Sequence, residues 1–108
     1  MRSSEMDYTL IDSLADMVDE VPADSIVSRT LYDGDDARVI LFAFAPGQEL
    51  SEHTAARPAV LHFLSGTADL VLGADEHQAR PGTWVHMKPN MPHSIRAHTE
   101  VRMLLILL

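Results

Sequence analysis

Gly47-Gln48-Glu49-Leu50-Ser51-Glu52-His53 is closed thirteen residues later by Gly66, and a second glycine-to-histidine segment runs from Gly82 to His93. Outward from these two stretches the chain breaks into short apolar runs punctuated by turn residues. The runs predict strands over 26–32, 38–45, 59–65, 68–72, 76–79, 83–87, 93–98 and 101–107. Asp33-Gly34-Asp35 supplies one turn, and Leu72-Gly73-Ala74-Asp75 joins two neighbouring strands as a hairpin. Seven or eight short strands in one small chain point to a barrel or jelly roll, which limits exposed strand edges.

Before Pro22 the pattern is different. Leu10, Ile11, Leu14, Ala15 and Val18 recur at the spacing of one helical face, and Thr9 can cap a short helix that ends before the proline. The apolar stripe of that helix needs a surface to cover. The organisation expected is therefore an N-terminal segment, 1–24, with a short α-helix, followed by an all-β unit over 25–108.

The two glycine-histidine segments resemble the paired motifs of the cupin superfamily. The first motif of that family reads glycine, five residues, histidine, one residue, histidine, three or four residues, glutamate, six residues, glycine. Gly47, His53 and Gly66 fall in register, whereas Ala55 takes the second histidine position and Ala59 the glutamate position. In the second motif Gly82 and His93 are in register, Lys88 stands at the proline position beside Pro89, Asn90 replaces a glycine and Ala97 an asparagine. Asparagine tolerates the positive φ that glycine supplies, so the turn at Asn90 can survive. The resemblance covers 38–108 and implies a cupin-like β-barrel or jelly roll, commonly dimeric, with His53 and His93 pointing into it from separate strands and sharing a metal.

Composition narrows the chemistry. With no cysteine among 108 residues there is neither a disulfide framework nor a thiolate metal site, so a metal must be held by nitrogen and oxygen. Imidazole nitrogen suits Zn, Fe, Ni or Cu. The net charge of −8 is concentrated in residues 1–36, which carry ten acids against Arg2 and Arg29. Such a surface repels a phosphate backbone, and nucleic-acid binding is not expected. The longest apolar run, 39–45, is too short to span a bilayer, and no basic segment precedes an apolar one at the N-terminus, so a cytoplasmic protein without a membrane partner is expected. The unbroken apolar run 103–108 argues for burial on both faces, either inside the monomer or in a homodimer.

The remaining histidines are read from strand alternation. His62 lies three residues past Ala59 and should face outward unless a bulge shifts the register. In 83–87, Val85 and Met87 form the inward set, with Trp84 and His86 outward. His77 and His98 fall near a turn and late in a strand. Glu49 and Glu52 are placed in an exposed connection as solvated carboxylates, and Arg57 at the barrel mouth as a surface charge or a partner for an anionic substrate. Loss of a histidine and a glutamate at 55 and 59 should leave a larger, less polar interior walled by Leu61, Phe63, Val85 and Met87. Three functions fit: a small-molecule-binding cupin with a vestigial two-histidine metal site, a metal-dependent oxygenase or isomerase, or a non-catalytic sensor or structural barrel. Hydrolase and nucleotide readings fail for want of a nucleophile elbow or a phosphate-cradling glycine loop.

Overall fold

The computed structural model describes residues 2, 3 and 7–108, with side chains from residue 7 onward. Two short strands, β1 (Arg2–Ser3) and β2 (Thr9–Leu10), pair with each other. The main body comprises β3 (Ile26–Asp33), β4 (Arg38–Phe44), β5 (Glu49–His53), β6 (Ala59–Ser65), β7 (Ala68–Leu72), β8 (Asp75–Ala79), β9 (Trp84–Met87), β10 (His93–Ala97) and β11 (Val101–Leu107). All pairings are antiparallel. They build a five-stranded sheet in the order β3-β4-β11-β6-β9 and a four-stranded sheet in the order β5-β10-β7-β8.

The jelly-roll expectation holds, but the sheets are not closed into a barrel: β3 and β9 are free edges of one sheet, β5 and β8 of the other. Their facing surfaces enclose one apolar cluster centred on Phe44, Leu61, Phe63, Leu70, Ile95 and Met103, all nearly or fully buried. Strand alternation selects this set. In β6, Ala59, Leu61 and Phe63 point inward, and in β9 Met87 is buried while Trp84 and His86 are exposed, as the sequence pattern predicts.

A second apolar cluster lies on the outer face of the larger sheet, where Val18, Leu31, Leu41 and Ala43 pack with Ile11, Leu14 and Leu104. The N-terminal segment thus finds its surface within the same chain. It does so without the expected helix over 10–18: only Leu14–Met17 winds into a single 3-10 turn, its N-cap is Ser13, and Thr9 lies in β2. A strap lying flat on a sheet needs apolar contacts along its length rather than one helical face, and the three- and four-residue spacing serves either purpose. Arg102 pins the strap by donating from Nη2 to the Val18 carbonyl at 2.9 Å. Leu104 under the strap and Met103, Leu105 and Leu107 on the inner face account for much of the apolar C-terminal run within one chain, because β11 is the middle strand of its sheet.

Two turns behave as their residues require. Gly66 joins β6 to β7 at φ +83° with the Glu100 carbonyl packed where a β-carbon would stand, so only glycine fits. Asn90 holds φ +65° at the position where the family motif has glycine.

Candidate functional site

His93 opens β10, and His53 ends β5 as its direct partner in the sheet. Two steps along β10, from Ile95 to His93, correspond to three along β5, from Leu50 to His53. The extra residue is a bulge, and it reverses the alternation of β5 so that His53 shares the inner face with Leu50. The bulge therefore builds the site: without it, His53 would point to solvent while His93 pointed inward.

The two rings meet at a centroid distance of 4.0 Å, inclined by 55°. His93 is buried, with 4% of its surface exposed; His53 is half-buried. Each ring is held the same way. Nδ1 of His93 donates to the Met91 carbonyl at 2.9 Å, and Nδ1 of His53 donates to the Ser51 carbonyl at 2.8 Å. A carbonyl can only accept, so Nδ1 carries the proton, and in the neutral ring Nε2 keeps its lone pair. Burial lowers the His93 pKa from its ordinary value, the bond to Met91 opposes this, and a charged His53 lowers it further. With Nδ1 of each ring anchored to a backbone carbonyl, Nε2 is the atom left for a metal, since the anchoring bond sets ring orientation and places the proton on Nδ1.

No group of three or more histidine, aspartate, glutamate or cysteine side chains able to hold a metal exists among the described residues. Ala59, buried on β6, and Ala55, half-buried in the connection after His53, offer no ligand atoms. The donor set fits a metal as two nitrogens and no more, and water or a ligand would have to complete it.

The other histidines lie elsewhere. His62 faces outward on β6 beside Trp84 of β9, and His86 is paired with Val60. His98 binds Asp69 at 2.8 Å on the surface, holding the Asp69 carboxyl below its ordinary pKa together with the Gln78 amide. His77 lines a cleft of about 300 Å³ between the edge strands β8 and β9, with Leu70, Thr83 and Trp84. Two further cavities, a polar groove of about 240 Å³ on the outer face of the smaller sheet and a cleft of about 510 Å³ under the N-terminal strap, also lack His53 and His93 in their walls. The residues expected to wall an interior pocket are instead packed: Leu61, Phe63 and Met87 belong to the inner cluster and Val85 rests against it.

Two sequence expectations change. Glu49 and Glu52 are exposed, but they sit on β5 and not in a connection, because a polar edge strand carries no apolar alternation to reveal it. Arg57 is occupied: Nε donates to the Leu108 carbonyl at 2.9 Å and Nη2 to that of Leu107 at 3.5 Å, stapling the connection after β5 to the end of β11. No described helix is long and apolar enough to cross a membrane.

The comparisons with known proteins agree with this architecture. Residues 40–107 match the Cupin domain family, and the chain belongs to it. No curated protein matches the chain. Among solved structures it is similar to a cupin superfamily protein from Desulfitobacterium hafniense DCB-2, with 22% identity, a TM-score of 0.84 and coverage of 100% of this chain and 98% of that one. A conserved protein of unknown function from Streptococcus pyogenes has 24% identity and a TM-score of 0.82, covering 100% and 94%. The DMSP lyase DddQ from Ruegeria pomeroyi DSS-3 is similar at 17% identity and a TM-score of 0.72, covering 78% and 47%. These likenesses concern the fold.

Proposed function

We propose that the protein is a small-molecule-binding cupin whose His53 and His93 hold a divalent metal, Zn, Fe, Ni or Cu, through their Nε2 atoms, with water or the ligand in the remaining positions. The observation that carries this reading is the matched pair of Nδ1 bonds to backbone carbonyls on rings whose centroids lie 4.0 Å apart, which leaves the Nε2 of each ring as the atom available to a metal. When bound, such a metal supplies a Lewis-acidic centre with several open positions. Binding is placed ahead of turnover, because two protein ligands fix the metal's geometry less tightly than a full set, and catalysis depends on that positioning. A metal-dependent oxygenase or isomerase activity is the rival that robust turnover would promote.

Metal-free protein titrated with Co(II) or Zn(II) tests the reading. One equivalent should bind to the wild type and to His77→Ala, and none stoichiometrically to His53→Ala. Equal binding by wild type and His53→Ala would remove the site. The proposal extends to a homodimer in the cytoplasm. The large apolar ring of Trp84, 59% exposed on the outer face beside His62, supports a partner surface, and light scattering of the purified protein tests it.

A further inference from the structure

Arg38 begins β4 on the same face as Phe42 and Phe44, which point into the inner cluster. Its register partner Leu107 pairs on with Ala59, and Ala59 with Met87, so one row of residues forms a rim of the larger sheet. The facing rim of the smaller sheet is His53, His93 and Leu72. Short connections lock the two rims to the same end of the molecule: His53 leads through 54–58 to Ala59, and Met87 leads through 88–92 to His93. Asn90 N–H donates to the Ala55 carbonyl and ties those two connections together. The four-residue link 45–48 carries β4 directly into β5, so the two sheets superpose with β5 over β4. Arg38 therefore stands on the rim at the histidine pair's end of the molecule, on the inward side of the larger sheet. Packed sheets lie about 10 Å apart, and a guanidinium on a three-methylene stem spans much of such a gap.

The Arg38 Nε is buried without a hydrogen-bond partner among the described residues. The ion pairs among those residues are His98–Asp69 and Arg102–Glu100, and Arg38 is in neither; Asp33, its register partner on β3, is exposed. Leaving a charged donor desolvated and unpaired is costly, and arginine is the side chain whose planar fork matches a carboxylate. Arg102, the other arginine with an unpaired buried Nε, spends its remaining donors on Glu100 and Val18. On the same side of the larger sheet, Ser28 and Thr30, in register with Phe42 and Ile40, are exposed along the edge strand β3.

We infer that Arg38 makes the space beside His53 and His93 a site for a small carboxylate with an apolar body, the carboxylate on the guanidinium and the body against Leu72, Met91 and Leu107. This names the ligand class of the proposed site and rests on that reading for its location, though not on a metal being bound.

Benzoate and its neutral analogue benzamide are suitable probes, titrated into metal-free and Zn-loaded protein and followed by calorimetry and by the histidine ring resonances. Benzoate should bind at least about tenfold more tightly than benzamide and move the His53 and His93 signals. Arg38→Gln should erase that preference while leaving the Zn titration unchanged. If Arg38→Gln melts below the assay temperature, Arg38→Lys carries the test: it keeps the charge but loses the fork, so the preference must fall. Equal binding of the two probes by the wild type, or an undiminished preference in the folded Arg38 variants, would overturn the inference. Failure of the metal reading shows separately, as a wild type that takes up no Zn whatever it does with benzoate.

Discussion

Strand β10 and its neighbours in the four-stranded sheet show two faces that use histidine in opposite ways. On the inner face, His93 meets His53, both rings are anchored to carbonyls, and burial disfavours the charged form of His93. On the outer face, His98 just beyond β10 meets Asp69 of β7, whose carboxylate is stabilised by the contact and by Gln78. One side holds two imidazoles by their Nδ1 atoms against the backbone, with burial lowering the pKa of His93; the other sets an imidazole against an anion in water, where salt and solvent screen it. The difference comes from the partner and the solvent rather than from the residue type. A histidine count alone is therefore a poor guide to a metal site.

The largest break between the faces should appear in packing. Ile95→Ala empties an inner position that is 1% exposed and should cost about 2–5 kcal/mol in urea unfolding, whereas Arg96→Ala next to it on the outer face should be close to neutral. Comparable losses at both positions would mean that the two faces are not energetically distinct.

Metal affinity sharpens the contrast next. His93→Ala should lose stoichiometric Zn binding, and His98→Ala should retain it, both measured by titration into metal-free protein. A loss in His98→Ala would place the metal on the wrong face.

Acid stability separates the faces by pH window. The folded-state pKa of His93 is lowered below its ordinary value of 6.5, so between those two values the unfolded chain binds a proton that the folded one does not. Stability then falls as pH drops from above 6.5 toward the lowered value, with a slope of at most about 1.4 kcal/mol per pH unit. Asp69 is lowered from 3.8, so its contribution is present above 3.8 and fades only as pH falls further. Thermal melts from pH 7.5 to 3 should show the first limb flattened in His93→Gln and unchanged in Asp69→Asn.

The smallest effect is expected from the outer pair itself. Asp69→Asn at pH 7 should leave both the melting temperature and Zn binding within error, because the interaction is exposed and screened by salt. A clear drop would show that the outer pair, and not only the inner cluster, holds the sheet together.

Much of this arrangement was legible in the chain. Eight of the strands follow from short runs bounded by turn residues, and the inward set Val85 and Met87 from alternation, because a half-buried sheet imposes a period of two on its apolar residues. The outward placement of His62 follows from the same rule. Asparagine at 90, where the motif has glycine, announces a left-handed turn that the backbone then adopts. The apolar spacing over 10–18 correctly marked residues that need cover, yet it could not say whether a helix or a flat strap would supply it, since both bury the same side chains.

What the sequence by itself determined was the set of side chains that must leave water and the two histidines that share a motif with cupins. Tertiary structure decided the rest. The bulge in β5 that turns His53 inward depends on pairing with β10 and leaves no mark in Leu50-Ser51-Glu52-His53. The proton on each Nδ1 depends on where the Ser51 and Met91 carbonyls come to lie. Two arginines of similar sequence context part ways for the same reason. Arg57 finds the carbonyls at the end of β11 and is spent on them, while Arg38, set on the opposite flank of that strand, keeps a buried donor unpaired among the described residues. Which polar groups find partners is a property of distances across the fold, and sequence spacing carries no information about those.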